Sequence, residues 1–150
     1  MQAAKEAFSE WVDLGLGAPK VAALVESMFL AASADGHVAA EEALQLAATA
    51  SALTDRRFSA EEIHTLLQKF AVLLRDDGVE ARTREVVAAL PAGKARETAL
   101  ILAAAITGSD GEIRLEENSF LADFAEALEI ETGRAVELID RVQQRAYRGG

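Results

Sequence analysis

The chain has 150 residues, 51% of them apolar, with a formal net charge of −10 and no cysteine. That length fits one domain with a substantial core. The lack of cysteine excludes disulfides, thiolate nucleophiles and Cys-based zinc sites, and the scattered Lys and Arg form no basic stripe, which argues against nucleic acid and anionic membrane surfaces.

Ala is abundant, Pro occurs only at 19 and 91, and β-branched runs are absent. The expectation is an all-α fold of about eight helices. The first residues show no basic n-region followed by an apolar h-region, so no signal peptide is expected. The longest uninterrupted apolar run, Ala99–Ile106, is far short of the roughly 18–20 residues that span a bilayer. A cytoplasmic protein follows, without direct membrane insertion. Its surplus of acid suits cations and basic protein surfaces, or serves solubility alone.

In chain order, Gln2–Leu14 reads as an amphipathic helix with Ala4, Phe8, Trp11 and Val12 near one face, broken by Gly15 and Gly17. Pro19 suits the first turn of a second helix. That helix runs to about Ala34, with Val21, Leu24, Val25, Met28, Phe29 and Ala32 buried. Another runs from about Ala40 to Leu53. Ser59-Ala-Glu-Glu62 has the form of a capping box, and Ile63, Leu66, Leu67, Phe70 and Leu74 follow at helical spacing. Asp76-Asp77-Gly78 ends that helix. A shorter one covers about Val79–Leu90, and Pro91-Ala-Gly93 is the clearest mid-chain break. From Lys94 a helix begins that is apolar on all sides between Ala99 and Ile106, the mark of a central element. Leu115–Leu128 and Thr132–Tyr147 read as the last two helices. The shared core is expected to hold Leu24, Met28, Leu46, Leu53, Leu102, Ile106, Leu121 and Leu128.

Two stretches repeat at a constant offset of 75 (110 − 35). Asp35-Gly36 meets Asp110-Gly111, Val38 meets Ile113, and Glu41-Glu42 meets Glu116-Glu117. Leu46 and Ala50 meet Leu121 and Ala125. The chain therefore reads as an internal duplication, about 21–75 and 95–147, with two pseudo-two-fold halves sharing one core.

Both copies carry Asp-Gly-x-apolar-x-x-x-Glu, the spacing of the second half of a calcium EF-hand loop. Gly makes the sharp turn, the apolar residue pins it to the core, and Glu swings back towards Asp. The first half of such a loop is missing: Ala31, Ser33, Ile106 and Gly108 stand where further ligands would be. A hard cation takes about six to eight oxygens, so carbonyls and water must complete any single-turn site, and it should bind weakly. Asp77-Gly78 lacks both the pin and the acid, since Glu80 and Arg84 stand there. The candidate metal ligands are Asp35, Glu42, Asp110 and Glu117, with Glu41 and Glu116 beside them. Calcium is the first expectation, with magnesium, manganese or zinc as alternatives.

The same residues also fit a purely structural role. Gly36 and Gly111 would cap helices, the Asp residues would bond amides, and the Glu residues would sit in first turns favoured by the helix dipole. His37 and His64 lie in different elements, and no Ser–His arrangement or Gly-rich phosphate loop occurs. No catalytic residues are assigned. A metal-free helical adaptor and a metal-dependent hydrolase are the alternatives to a non-enzymatic cation-binding module.

At these residues the chain resembles the TerB tellurite-resistance family. The likeness is carried by Ala-Ala-Ser-Ala-Asp-Gly-His-Val-Ala-Ala-Glu-Glu (31–42) and Gly-Ser-Asp-Gly-Glu-Ile-Arg-Leu-Glu-Glu (108–117). The resemblance implies an all-helical cytoplasmic protein with two related halves and an acidic patch that binds divalent cations. It also implies a role in tellurite or other stress, and association with a TerC-like membrane protein that would hold the chain peripheral to the inner membrane. The chain departs from the family's pattern at Ala39 and Arg114, and Arg114 sets a cation beside the second turn. TerB-like domains also occur with J-domains, but no His-Pro-Asp is present.

Overall fold

The computed structural model describes residues 18–34, 40–53, 58–107 and 118–148. Every regular element among them is a helix: α1 Ala18–Ser33, α2 Ala40–Leu53, α3 Ala60–Asp77, α4 Val79–Ala89, α5 Lys94–Thr107, α6 Ser119–Ala127 and α7 Thr132–Arg148. The expected helix over Gln2–Leu14, with Trp11, lies outside the described residues. The other seven are the helices expected from the sequence.

Local chemistry sets several boundaries. Ser59 is extended and starts α3 with a complete capping box. The Glu62 amide donates to Ser59 Oγ at 3.0 Å, and the Ser59 amide donates to Glu62 Oε1 at 3.2 Å. Gly78 separates α3 from α4 at φ 88°, and its amide donates to the Leu74 carbonyl at 2.9 Å. Nothing lies within 4 Å of where its Cβ would stand, so that backbone angle alone favours glycine there.

The start of α6 corrects one expectation. The helix does not run unbroken from Leu115. Asn118 is extended (φ −111°, ψ 97°), and its side chain accepts the Leu121 amide at 2.9 Å. An Asn N-cap opens a new helix by satisfying an amide that has no carbonyl four residues back.

α1 and α5 form the centre and pack most extensively on each other. In α5 every side chain from Thr98 to Ala105 is buried, and Ile106 is partly so. In α1 the run from Ala23 to Ala31 is buried. α1, α2 and α3 pack on one another, and α5, α6 and α7 pack on one another in the same pairs. α4 joins them, resting on α1, α3 and α6. At the offset of 75, Leu46 and Leu121, Ala50 and Ala125, Ile63 and Leu138, and Leu67 and Val142 are buried at both members. In the central pair the sizes are exchanged instead. Leu24, Met28, Phe29 and Leu30 correspond to Ala99, Ala103, Ala104 and Ala105, while Ser27 corresponds to Leu102. Bulk in one helix against small residues in the other fills a shared interface without overpacking.

Of the expected core, Leu24, Met28, Leu46, Leu102, Leu121 and Leu128 are buried, and Ile106 packs against them. The Leu53 side chain lies outside the described residues. Phe120 is partly buried and stacks on Phe124, with ring centroids 5.3 Å apart.

Candidate functional site

Of the six candidate ligands, Glu41 and Glu42 are within the described residues. They occupy the first turn of α2, both exposed, where the positive end of the helix dipole favours carboxylates. Asp35, Asp110, Glu116 and Glu117 lie outside the described residues, as do Gly36, His37, Gly111 and Arg114. Among the described residues no three His, Asp or Glu side chains converge as metal ligands do.

The helices that follow the two Asp-Gly pairs in the chain start differently. At the offset of 75, Ala40 corresponds to Leu115, but α6 begins four residues later, at Ser119. Glu41 and Glu42 are therefore first-turn residues of α2, whereas Glu116 and Glu117 precede the N-cap of α6. His64, the one histidine among the described residues, is half-buried on α3.

Sequence reading missed the charged groups that tie the helices together. Glu26 is the only charged residue between Lys20 and Asp35, and it is 4% exposed within the buried run of α1. Arg82 of α4 meets it with two parallel bonds, Nε to Oε2 at 2.8 Å and Nη2 to Oε1 at 2.9 Å. Arg82 Nη1 also reaches Asp77 Oδ2 at 3.4 Å. The hydrogen bond to Glu26 holds the Arg82 guanidinium above its ordinary pKa against the opposing effect of burial, and Asp77 adds to it. The available signal was a lone acid in the apolar run that follows Lys20, which needs a fixed cation if it is buried.

A second two-point pair joins α5 to α7. Arg134 donates from Nε to Glu97 Oε2 at 2.9 Å, from Nη2 to Glu97 Oε1 at 3.0 Å, and from Nη1 to Glu137 at 2.9 Å. Hydrogen bonding from Arg134 holds the Glu97 carboxyl below the usual range. Partial burial opposes it, and the charges of Arg134, Arg141 and Lys94 add to it. The buried hydroxyls are satisfied within the fold: Ser27 donates to the Ala23 carbonyl, Thr83 to Val79, Thr98 to Lys94 and Ser51 to Phe58. The two Arg–Glu pairs join separate helices, whereas the Ser27, Thr83 and Thr98 hydroxyls bond within their own.

Compared with known proteins, the chain matches no family model, no curated protein and no solved structure.

Proposed function

We propose that the protein is a non-enzymatic, TerB-like stress-response module that binds a divalent cation at its two Asp-Gly turns and acts through a protein partner. The observation that carries this reading is the double occurrence of Asp-Gly-x-apolar-x-x-x-Glu at Asp35–Glu42 and Asp110–Glu117. The packing of the helices supports a reading as two related halves. α1 and α5, the helices that lead into the turns, are equivalents at the offset of 75, pack on each other and exchange large for small side chains.

Calcium is the first candidate cation because the spacing is that of a calcium loop and the donors are all oxygen. Magnesium, manganese and zinc are the alternatives. A TerC-like membrane protein is the proposed partner. No helix among the described residues is long and apolar enough to cross a membrane. Titration of the protein with each of the four cations in a calorimeter tests the reading. Saturable heat with one of them supports it, and silence with all four refutes it.

A metal-free adaptor is the second reading. It is favoured by Leu44, 57% exposed and one turn beyond Glu41 on α2. Residues three apart share a helix face, so an apolar contact stands beside an acid there. Metal-dependent turnover in a substrate screen would instead favour a hydrolase.

A further inference from the structure

We infer that Arg96 is a latch that makes the C-terminal ends of α4 and α6 open and close together. Arg96 lies on α5, with its side chain 17% exposed. Its guanidinium reaches both helix ends at once. Nε donates to the Leu90 carbonyl at 3.1 Å and Nη2 to the Val87 carbonyl at 3.4 Å, both at the end of α4. Nη1 donates to the Leu128 carbonyl at 3.4 Å and to Glu129 Oε2 at 3.3 Å, at the end of α6.

The last carbonyls of a helix lack intrahelical partners, and a cation there is favoured by the dipole. One planar fork serves two such ends here, which a point charge on a flexible stem cannot reproduce.

The α6 end is one that needs holding. The Ile130 amide donates to the Ala125 carbonyl at 3.0 Å and the Glu129 amide to that of Glu126 at 2.9 Å. This is the Schellman arrangement, whose left-handed position is ordinarily glycine. Glu129 occupies it at φ 61°, a conformation that costs a residue with a side chain. Arg96 binds the Glu129 carboxylate and the carbonyl just before it. The α4 end is linked to the same group, because the Val87 carbonyl that takes the Leu90 amide at 3.1 Å also takes Arg96. Leu90 and Leu128, the residues at the two ends, are each 1% exposed, so releasing either end uncovers core. The latch joins the connector between the repeats to the second repeat, whether or not a cation binds elsewhere.

Native-state hydrogen exchange of the full chain tests it. With Arg96→Met, exchange at the Leu90, Glu129 and Ile130 amides is expected to rise at least tenfold more than at Met28 and Leu30 in the central helix. Adding Glu129→Gly should restore protection at residues 129 and 130 but not at Leu90, because glycine takes the left-handed turn freely while the α4 carbonyls stay unserved. If Arg96→Met does not fold, Arg96→Lys is read in the same way, with a smaller rise at both ends. A rise at one end alone, or an equal rise at every protected amide, would overturn the latch and leave Arg96 as an ordinary brace.

Discussion

Both carboxylate oxygens of Glu26 are held by one guanidinium, that of Arg82, 56 residues further along the chain. The side chains are 5% and 12% exposed, so this is a buried pair binding the central helix to the connector. Removing one partner strands a charge, whereas replacing both with apolar groups removes the desolvation cost as well. Arg82→Met should therefore destabilise the protein by about 3–5 kcal/mol, and Glu26→Leu with Arg82→Met should recover most of that loss. Urea unfolding of the single and double variants measures both.

Glu97 and Arg134 predict a pH dependence. The folded state holds the Glu97 carboxyl below its ordinary value of 4.5. A depressed carboxylate contributes stability that is fully present above the unfolded value and lost as pH falls through the folded one. The contribution is small, because both side chains stand partly in water. Wild type should be more stable than Glu97→Gln at neutral pH, and the difference should vanish as pH falls below the ordinary carboxylate range. A difference that grows on acidification would mean the pair does not act in solution as it does in the structure.

Glu129 at φ 61° makes a stabilising substitution available. Glu129→Gly removes the left-handed strain, at the cost of more freedom in the unfolded chain and of the exposed end of the Arg96 contact. The net gain should be on the order of 0.5 kcal/mol, read as a raised unfolding midpoint with an unchanged slope.

The capping box gives a change of opposite sign. Ser59→Ala should cost about 1 kcal/mol, since the Glu62 amide loses the hydroxyl at 3.0 Å. Ser59→Asp should recover most of it, because a carboxylate there accepts the same bond.

The helices were legible where apolar spacing and terminal residues agreed. Ser59, Gly78 and the break before Gly93 all mark real boundaries. The all-apolar run of α5 announced its burial. The start of α6 was misread because Leu115 continues the apolar pattern while Asn118, a moderate helix former, is also an N-cap. The sequence likeness at the offset of 75 is plain at the two Asp-Gly pairs and faint in the central helices, because α1 and α5 hold opposite sizes at matching positions. Glu26 stands out in the sequence as a lone acid, but its pairing with Arg82 and the contacts of Arg96 were not legible. They depend on which helix ends meet, and spacing along the chain does not carry that information.

Thermal unfolding with and without a divalent cation tests the central claim most directly. A ligand that binds the native state stabilises it by mass action, about 2.7 kcal/mol at one hundred times its dissociation constant. The wild type should therefore melt higher with calcium, or with whichever cation gives heat in the calorimeter. Asp35→Asn combined with Asp110→Asn should abolish that rise, and the metal-free double variant should melt slightly above wild type, since the proposed site would hold carboxylates that repel one another without the ion. Asp77→Asn is the control: it changes an Asp-Gly pair that lacks the apolar pin and the Glu, and it should keep the full response. If the double variant responds to the cation as the wild type does, the two turns are helix caps only and the proposed site is wrong.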